Sequence, residues 1–192
     1  MLGSLKVGFG RRRTGQQLYE GIVALSREPV LYESCGVPDT MEGRLEMLLL
    51  HTVVVLERLK SEGADGQRIG QRLMEHLVAD IDDCLRRIGL GDDSVAPRIQ
   101  KLGGAIGERA RDYGAALGAT DAALETALID HVWRPADASA ATAVRPWAQR
   151  LAARVRSSRS ALDSVRLPDL AAGRLGRSSS VPAAPETLEQ PL

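Results

Sequence analysis

Residues 35–51 read CGVPDTMEGRLEMLLLH, a stretch in which a polar loop changes into an apolar helix within a few positions. Pro38 restricts its own φ angle and favours an extended conformation at Val37, so the loop is expected to be stiff. Asp39 is followed three residues later by Glu42, a spacing that is typical of a helix N-terminus. We therefore predict that Asp39 caps a helix that continues to about Ser61.

The predicted helix carries apolar residues on two opposite sides. On a helical wheel, one side holds Leu45, Leu48, Leu49, Thr52, Leu56 and Leu59, and the other holds Met47, Leu50, Val54 and Val55. Arg44, His51 and Arg58 recur at intervals of seven residues and form a polar seam between the two sides. Such a helix either lies at the centre of a bundle with its seam exposed or is covered on its second side by another molecule.

The start of this helix, which we name the corner (residues 36–44), has features of a docking site. Gly43 in the first helical turn is unfavourable unless another group approaches closely there. A stiff loop, a bare glycine and an arginine beside an apolar helix predict a protein-binding site. The candidate contact residues are Tyr32, Val37, Pro38, Asp39, Thr40, Gly43, Arg44, Met47, His51 and Arg58.

The rest of the chain also has helical periodicity, without strand alternation. Caps, glycines and prolines predict further helices at about residues 14–27, 65–88, 94–117, 120–133 and 138–165, with Pro146 bending or restarting the last one. Residues 28–38 are predicted to form a loop. The sequence therefore predicts an all-α protein: a single bundle of about six helices at residues 14–167, a basic flexible N-terminus at 1–13 and a disordered C-terminal tail at 168–192.

Composition excludes several classes of partner and location. The formal net charge is zero, which gives no overall attraction to nucleic acid. Cys35 and Cys84 form no disulfide framework, and the N-terminal residues lack the apolar segment of a secretory signal, so we expect a cytoplasmic protein. The most apolar run, from Met47 to Leu56, is interrupted by His51 and Thr52 and is too short to span a bilayer.

Catalytic and metal-binding patterns are weak. His76, Asp80, Asp83 and Arg87 share one flank of a helix, and His76 with Asp80 could supply two ligands in a metal hydrolase. No second histidine or cysteine lies nearby to complete a zinc site, so the sequence favours a solvated flank with the helical pairs His76–Asp80, Asp82–Arg86 and Asp83–Arg87. His131, beside Trp133, is expected to pack at the edge of the core. We predict no catalytic residue, no metal ligand and no cofactor.

Small residues recur along the helix predicted at 94–117. Gly103, Gly107, Ala110, Gly114 and Gly118 follow one another at steps of three and four residues. Small side chains so spaced allow two helix backbones to approach closely, at a cost in helix propensity of about 1 kcal/mol for each glycine. We therefore interpret the stripe as a helix-packing surface.

Two segments resemble the ubiquinol–cytochrome c chaperone family. They are LYEGIVALSREPVLYESCGVPDTMEGRLEMLLLHTVVVLERLKSEG (residues 18–63) and LVADIDDCLRRIGLGDDSVAPRIQKL (residues 77–102). The most specific element is the Gly-Val-Pro-Asp-Thr of residues 36–40, followed by Gly43-Arg44-x-Glu46. In this chain Leu45 stands where the family usually has an aromatic residue. The resemblance extends over about residues 19–117.

This resemblance implies an all-helical assembly factor without catalytic activity. Its expected client is cytochrome b, or another membrane-protein client, during maturation of the respiratory bc complex. Such a client implies work at the cytoplasmic face of the inner membrane, where the basic N-terminal residues Lys6, Arg11, Arg12 and Arg13 could make peripheral contact with anionic lipid. A helical lipid- or quinone-binding protein, with the apolar helix lining a cavity, is the alternative that the sequence leaves open.

Overall fold

The computed structural model describes residues 3–87 and 92–176, with the side chains of residues 15–87 and 97–176. The helices are α1 (Gly3–Ser26), α2 (Pro29–Glu33), α3 (Met41–Leu59), α4 (Gly63–Arg87), α5 (Asp92–Leu117), α6 (Asp121–Leu128), α7 (Ala138–Asp163) and α8 (Leu167–Ala171). A 3₁₀ turn at Lys60–Glu62 joins α3 to α4, and a π-helical turn at Ile129–Trp133 extends α6. Within these residues the fold is all-α, as predicted: α1, α3, α4, α5, α6 and α7 correspond to the six predicted helices, and α2 and α8 are short additions.

Several predicted boundaries differ from the structure. Helix α1 begins at Gly3, so the helical backbone runs through Thr14, and the region predicted as a flexible N-terminus includes its first turns. The predicted loop at residues 28–38 contains the short helix α2, which starts with Pro29 in its first turn and buries Leu31. Helix α7 runs through Pro146 without interruption, because the buried face from Val144 to Leu162 offsets the loss of one backbone donor.

The ordered chain continues beyond the predicted boundary at Leu167. Leu170 in α8 and Leu175 after it are both buried, with exposed fractions of 0% and 5%. Gly173, at φ +76°, lies so close to α1 that a Cβ atom there would be 2.2 Å from the carbonyl oxygen of Gln17, and one on Gly21 would be 2.5 Å from the carbonyl oxygen of Gly173. The first and last described segments are therefore in contact, and the rest of the predicted tail, residues 177–192, lies outside the described residues.

Helix α3 lies at the centre of the bundle, in contact with α1, α4, α5 and α7. Met47, Leu50, Val54 and Val55 on its second side are all buried, at 0–2% exposure. The chain's own helices thus cover the second apolar side, and they cover the first one except at Leu45. The predicted exposed seam is wrong for two of its three members: His51 and Arg58 are buried, and only Arg44 reaches solvent.

The glycine stripe of α5 is not a packing surface along its whole length. A Cβ atom added at Gly103, Gly104 or Gly107 would meet no other atom within 4 Å, whereas one at Gly114 would lie 2.8 Å from the Glu57 carboxylate. The first half of the stripe therefore faces solvent. The prediction of close helix packing is wrong there, because α5 turns Leu102, Ile106 and Arg109 toward the core instead.

Candidate client-binding site

The corner is capped by Thr40 and not, as predicted, by Asp39. The Thr40 hydroxyl accepts a hydrogen bond from the backbone N–H of Gly43 at 3.1 Å, the usual N-cap contact. Asp39 instead accepts two hydrogen bonds from Arg44, at 2.6 Å from Nε and 3.1 Å from Nη2. This pairing lowers the pKa of Asp39 and raises that of Arg44. The corner thus has a bidentate ion pair exposed to solvent.

Two tryptophans and an arginine hold the loop that leads into the corner. The indole N–H of Trp133 donates to the carbonyl oxygen of Gly36 at 3.0 Å, and Arg150 Nε donates to the carbonyl oxygen of Ser34 at 2.6 Å. Gly36 has φ +65°, and a Cβ atom there would lie 2.4 Å from the ring of Trp147. Only glycine satisfies both the backbone angle and the ring contact, so the loop is fixed against the end of α6 and the middle of α7.

Gly43 is approached closely, but by the corner itself. A Cβ atom on Gly43 would lie 2.0 Å from the carbonyl oxygen of Pro38. Since that neighbour is backbone, a larger residue would displace the loop. Gly43 therefore serves the folding of the corner, and it offers no open contact point for another molecule.

Half of the predicted contact residues lie inside the molecule. Val37, Gly43, Met47, His51 and Arg58 are buried. The ring of His51 donates from Nδ1 to the carbonyl oxygen of Met47 at 2.8 Å, and burial lowers its pKa. Arg58 donates to the carbonyl oxygens of Leu162 and Val165, at 3.1 and 3.0 Å, and pairs with Glu62. In this conformation a client cannot reach these side chains, which instead support the helix beneath the corner.

The accessible part of the prediction forms a small surface around α2 and the first turns of α3. Asp39, Thr40 and Arg44 are exposed, Tyr32 and Pro38 are half-buried, and the Arg44 guanidinium lies 5.9 Å from the centre of the Tyr32 ring. Arg27, Pro29, Tyr32, Glu33, Asp39 and Arg44 line a cavity of about 230 Å³ there. The Tyr32 ring and the Asp39–Arg44 ion pair thus lie side by side.

Sequence reasoning missed two residues of this surface. Met41 is 76% exposed and Leu45 is 36% exposed, and they are the large apolar side chains that face solvent in the described chain. They are four residues apart on α3, so they share one face of its first turns. The helical wheel assigns Leu45 to the core stripe, and Met41 was left out because it stands between the cap residue and Glu42 at the start of the helix. The spacing of the two residues was the signal available in the sequence.

A second concave surface lies between α5 and α6 and is named here the α5–α6 groove. It has a volume of about 930 Å³, and its apolar lining consists of Ala105, Ala115, Ala116, Ala119, Ala123 and Ala127. Its charged lining includes Lys101, Glu108, Asp112, Asp130 and Arg134. No aromatic side chain lines it apart from the imidazole of His131. The sequence analysis did not predict this groove, because alanine spacing alone does not distinguish a groove from packed helices.

A buried ion pair supports one wall of the groove. Glu46 in α3 accepts hydrogen bonds from Arg109 Nε at 2.9 Å, from Arg109 Nη2 at 2.8 Å and from the Tyr113 hydroxyl at 2.7 Å. The side chains of Glu46 and Arg109 are only 4% and 5% exposed. Burial opposes the charged form of Arg109, but pairing with Glu46 nevertheless raises its pKa. Burial next to Glu46 raises the pKa of Tyr113 as well.

The π-helical turn connects the groove to the corner. His131 Nε2 lies 2.9 Å from Asp112 Oδ2 across the groove, and its ring packs edge-on against Tyr113. Trp133 reaches the corner through its hydrogen bond to Gly36. Arg134 ends the turn at φ 48°, in the left-handed region, with Nη2 3.7 Å from Glu46 Oε2. Local π-helix and left-handed non-glycine residues are both concentrated at functional sites.

The flank of α4 that contains His76 and Asp80 is partly covered and not fully solvated. The Tyr19 hydroxyl of α1 donates to Asp80 Oδ2 at 2.8 Å, and the Tyr19 ring packs edge-on against His76. The predicted pair Asp82–Arg86 forms at 2.7 Å. Among the described side chains, those of residues 15–87 and 97–176, no group of three or more could hold a metal ion. Within the same ranges, no helix is long and apolar enough to cross a membrane.

Comparison with known proteins agrees with this architecture. The solved structure of the Cbp3 homolog from Brucella abortus is 32% identical in sequence, with a TM-score of 0.77, and the alignment covers 94% of this chain and 98% of that one. No curated protein sequence matches this chain. The family described as ubiquinol-cytochrome C chaperone matches residues 33–178, which include the corner and both walls of the groove. On this match, which spans most of the chain, the protein belongs to the ubiquinol–cytochrome c chaperone family.

Proposed function

We propose that this protein is a non-catalytic assembly factor that binds cytochrome b, or a comparable apolar membrane-protein client, during assembly of ubiquinol–cytochrome c reductase. Family membership supports a chaperone of this complex. The observation that carries the proposed contact surface is the exposure of Met41 and Leu45 on the first turns of α3, beside the Asp39–Arg44 pair. A flexible methionine next to a leucine adapts well to an apolar client.

The corner is ordered in the absence of a client. Its loop is held by Trp133, Trp147 and Arg150, and its helix start is held by Thr40 and Gly43. A surface that is already ordered loses less conformational entropy on association than a mobile one. The buried members of the predicted set, including Met47, His51 and Arg58, contribute indirectly because they keep α3 in place.

The proposed location follows from the proposed client. Cytochrome b is a membrane protein, so the chaperone would act in the cytoplasm at the inner face of the inner membrane. Peripheral contact through the basic residues of the N-terminus remains a sequence prediction, because their side chains lie outside the described ones. The alternative of lipid or quinone binding gains no specific support, since the α5–α6 groove is open and has charged residues along it.

The decisive experiment is capture of cytochrome b from detergent-solubilised membranes by tagged protein. We expect the wild type to capture it and Met41→Asp to lose most of the capture. Met41 is the first residue of α3, where an acidic side chain interacts favourably with the helix dipole, so the variant should remain folded. Arg44→Ala should also remain folded, because the Arg44–Asp39 pair is exposed, and it should also lose most of the capture.

The matched control is Ala138→Asp. Ala138 is the exposed first residue of α7, so this change adds an acid at the same helical position on a different surface. It should leave capture unchanged. Failure of the wild type to capture cytochrome b would refute the proposed client, and equal loss in the control would show that the corner is not the contact surface.

A further inference from the structure

The second half of α5, residues 108–117, is held firmly by two other helices. The buried guanidinium of Arg109 donates to the Glu46 carboxylate of α3, at 2.8 Å from Nη2. At the end of the helix, Nη1 of Arg156 in α7 donates to the carbonyl oxygen of Leu117 at 2.7 Å. This contact satisfies one of the carbonyl groups that a helix leaves without a partner at its C-terminus.

The preceding part of the helix, which we name the glycine half of α5 (residues 97–107), is attached much more weakly. Its buried side chains are those of Leu102 and Ile106, and both lie at the edge of the core, with exposed fractions of 9% and 8%. Gln100 and Lys101 are exposed, and neither has a hydrogen-bond or ion-pair partner among the described residues. The attachment of the glycine half therefore depends mainly on two apolar side chains.

The backbone of the glycine half also has a weak preference for the helical conformation. Gly103, Gly104 and Gly107 are exposed, and a Cβ atom on any of them would meet no described atom within 4 Å. Packing therefore does not require glycine at these positions, yet each one lowers the equilibrium constant for helix formation about fivefold relative to alanine. Pro97 has no backbone N–H and removes one more hydrogen bond from the helix. Both features favour opening of this half.

From this contrast we propose that the glycine half of α5 opens and closes as a unit while residues 108–117 stay docked. Segments that are held by few buried contacts commonly unfold locally without unfolding of the whole domain. The boundary lies at the buried pair of Arg109 with Glu46. Separating that pair would leave a buried charge without its partner, which is far less favourable than exposing Leu102 and Ile106 at the edge of the core.

Opening of the glycine half changes the surface of the protein in two ways. Leu102 and Ile106 belong to the main hydrophobic core, so their departure uncovers apolar side chains of the bundle. Lys101 and Ala105 leave the lining of the α5–α6 groove, which becomes wider at that end. The equilibrium between the closed and open states thus regulates how much apolar surface the protein exposes. It depends neither on the corner nor on the identity of the client.

Hydrogen–deuterium exchange of the full-length protein, followed by NMR, tests this opening. After correction for intrinsic rates, amides of residues 99–107 should exchange at least about tenfold faster than those of residues 110–117. In urea below the unfolding transition, the rates at residues 99–107 should change little, because a local opening exposes little surface. The slowest amides of α3 should exchange faster under the same conditions, since they are exposed only when the whole protein unfolds.

Two variants of α5 separate local opening from detachment of the whole helix. Gly103→Ala combined with Gly107→Ala should slow exchange at residues 99–107 about 25-fold, from the helix propensities of the two residues. Ala115→Gly makes the reverse change at an exposed position of the second half. It should alter exchange at residues 99–107 by less than about twofold, because position 115 is helical in both the closed and the open state. Equal wild-type rates at residues 99–107 and 110–117, no slowing in the alanine variant, or equal acceleration of both halves by Ala115→Gly would overturn the proposal.

Discussion

His51 is a histidine held neutral inside a hydrophobic helix. Its ring is 4% exposed, between Leu50 and Thr52, and it uses Nδ1 to satisfy the carbonyl oxygen of Met47. Burial disfavours the imidazolium and lowers the pKa below the ordinary value of 6.5. The hydrogen bond favours protonation but does not overcome the burial. The residue that was predicted to sit on an exposed seam is thus a titratable group in the core.

This arrangement predicts a loss of stability in mild acid. As pH falls below about 6.5, the unfolded chain binds a proton at His51 while the folded protein does not, so unfolding becomes more favourable. One such group contributes up to about 1.4 kcal/mol per pH unit in this range. Urea unfolding between about pH 7.5 and about pH 5.5 should show a smaller loss in His51→Gln, which keeps a donor for Met47 but does not titrate. Parallel pH curves for the two proteins would contradict the assignment.

At the scale of the helices, the contact between α3 and α5 includes a buried ion pair. Glu46 and Arg109 together are almost fully buried, and Tyr113 completes the hydrogen bonding of the carboxylate. Such a pair contributes little net stability compared with apolar residues, since desolvation offsets the attraction. Removing one member alone leaves the other charged and without a partner, which is strongly unfavourable.

Single and combined substitutions in this buried ion pair should therefore have very different effects on the free energy of unfolding. Glu46→Leu should lower the free energy of unfolding by about 3–5 kcal/mol, because Arg109 stays buried without its carboxylate. Adding Arg109→Met and Tyr113→Phe should recover most of this loss, as no unsatisfied polar group then remains. Urea denaturation of the single and triple variants measures both. A loss below about 1 kcal/mol in the single variant would mean that water reaches the pair in solution.

The helices could be predicted from the sequence where local chemistry determines them. Thr120 caps α6, and Arg134 and Pro135 follow its end at Trp133, so these limits agree with the prediction. The beginning of α3 was one residue off, because Asp39 and Thr40 are both good caps and the choice depends on Arg44 taking the Asp39 carboxylate. Burial of His51 and Arg58 could not be predicted from a helical wheel, since it depends on neighbours more than 100 positions away, such as Leu162.

At the scale of the whole molecule, the first and last described helices, α1 and α8, are in contact. Leu170 and Leu175 are buried, and Gly173 lies directly against α1 at Gln17 and Gly21. The composition of this region, rich in glycine, serine and proline, predicted disorder from residue 168. The prediction is wrong for residues 168–176, because Leu170, Leu175 and Gly173 are enough to pack this segment against the bundle. The average composition of a segment does not reveal three such positions.

Two truncations should separate the contribution of the docked segment from that of residues 177–192. Ending the chain after Gly176 should leave the melting temperature unchanged, since residues 177–192 contain few large apolar side chains. Ending it after Leu167 removes two buried leucines, worth about 3–6 kcal/mol together, and should lower the melting temperature by roughly 10 °C. Differential scanning calorimetry measures both. Equal melting of the two truncated proteins would show that α8 does not stabilise the bundle in solution.

The location of the candidate site stays a prediction, and the structure changes which of its residues are accessible. The Gly-Val-Pro-Asp-Thr motif pointed to the corner, and the structure places a stiff, partly exposed loop there. Accessibility decided which of its residues could contact a client, and accessibility depends on the packing of all the helices. Met41 was overlooked because it is isolated from the apolar run in the sequence. The α5–α6 groove was overlooked because it exists only when the two helices lie beside each other.

The meeting of Gly173 with Gly21 also has a consequence for the order in which the protein can mature on the ribosome. Helix α1 leaves the ribosome before α3 to α7, and the segment that covers part of it, residues 167–176, leaves after them. A nascent chain that already contains α3 and α4 still has part of α1 uncovered. The bundle therefore reaches its full stability only after residues 167–176 have left the ribosome. A surface that depends on a fully packed α1 is therefore complete only after this segment has been synthesised.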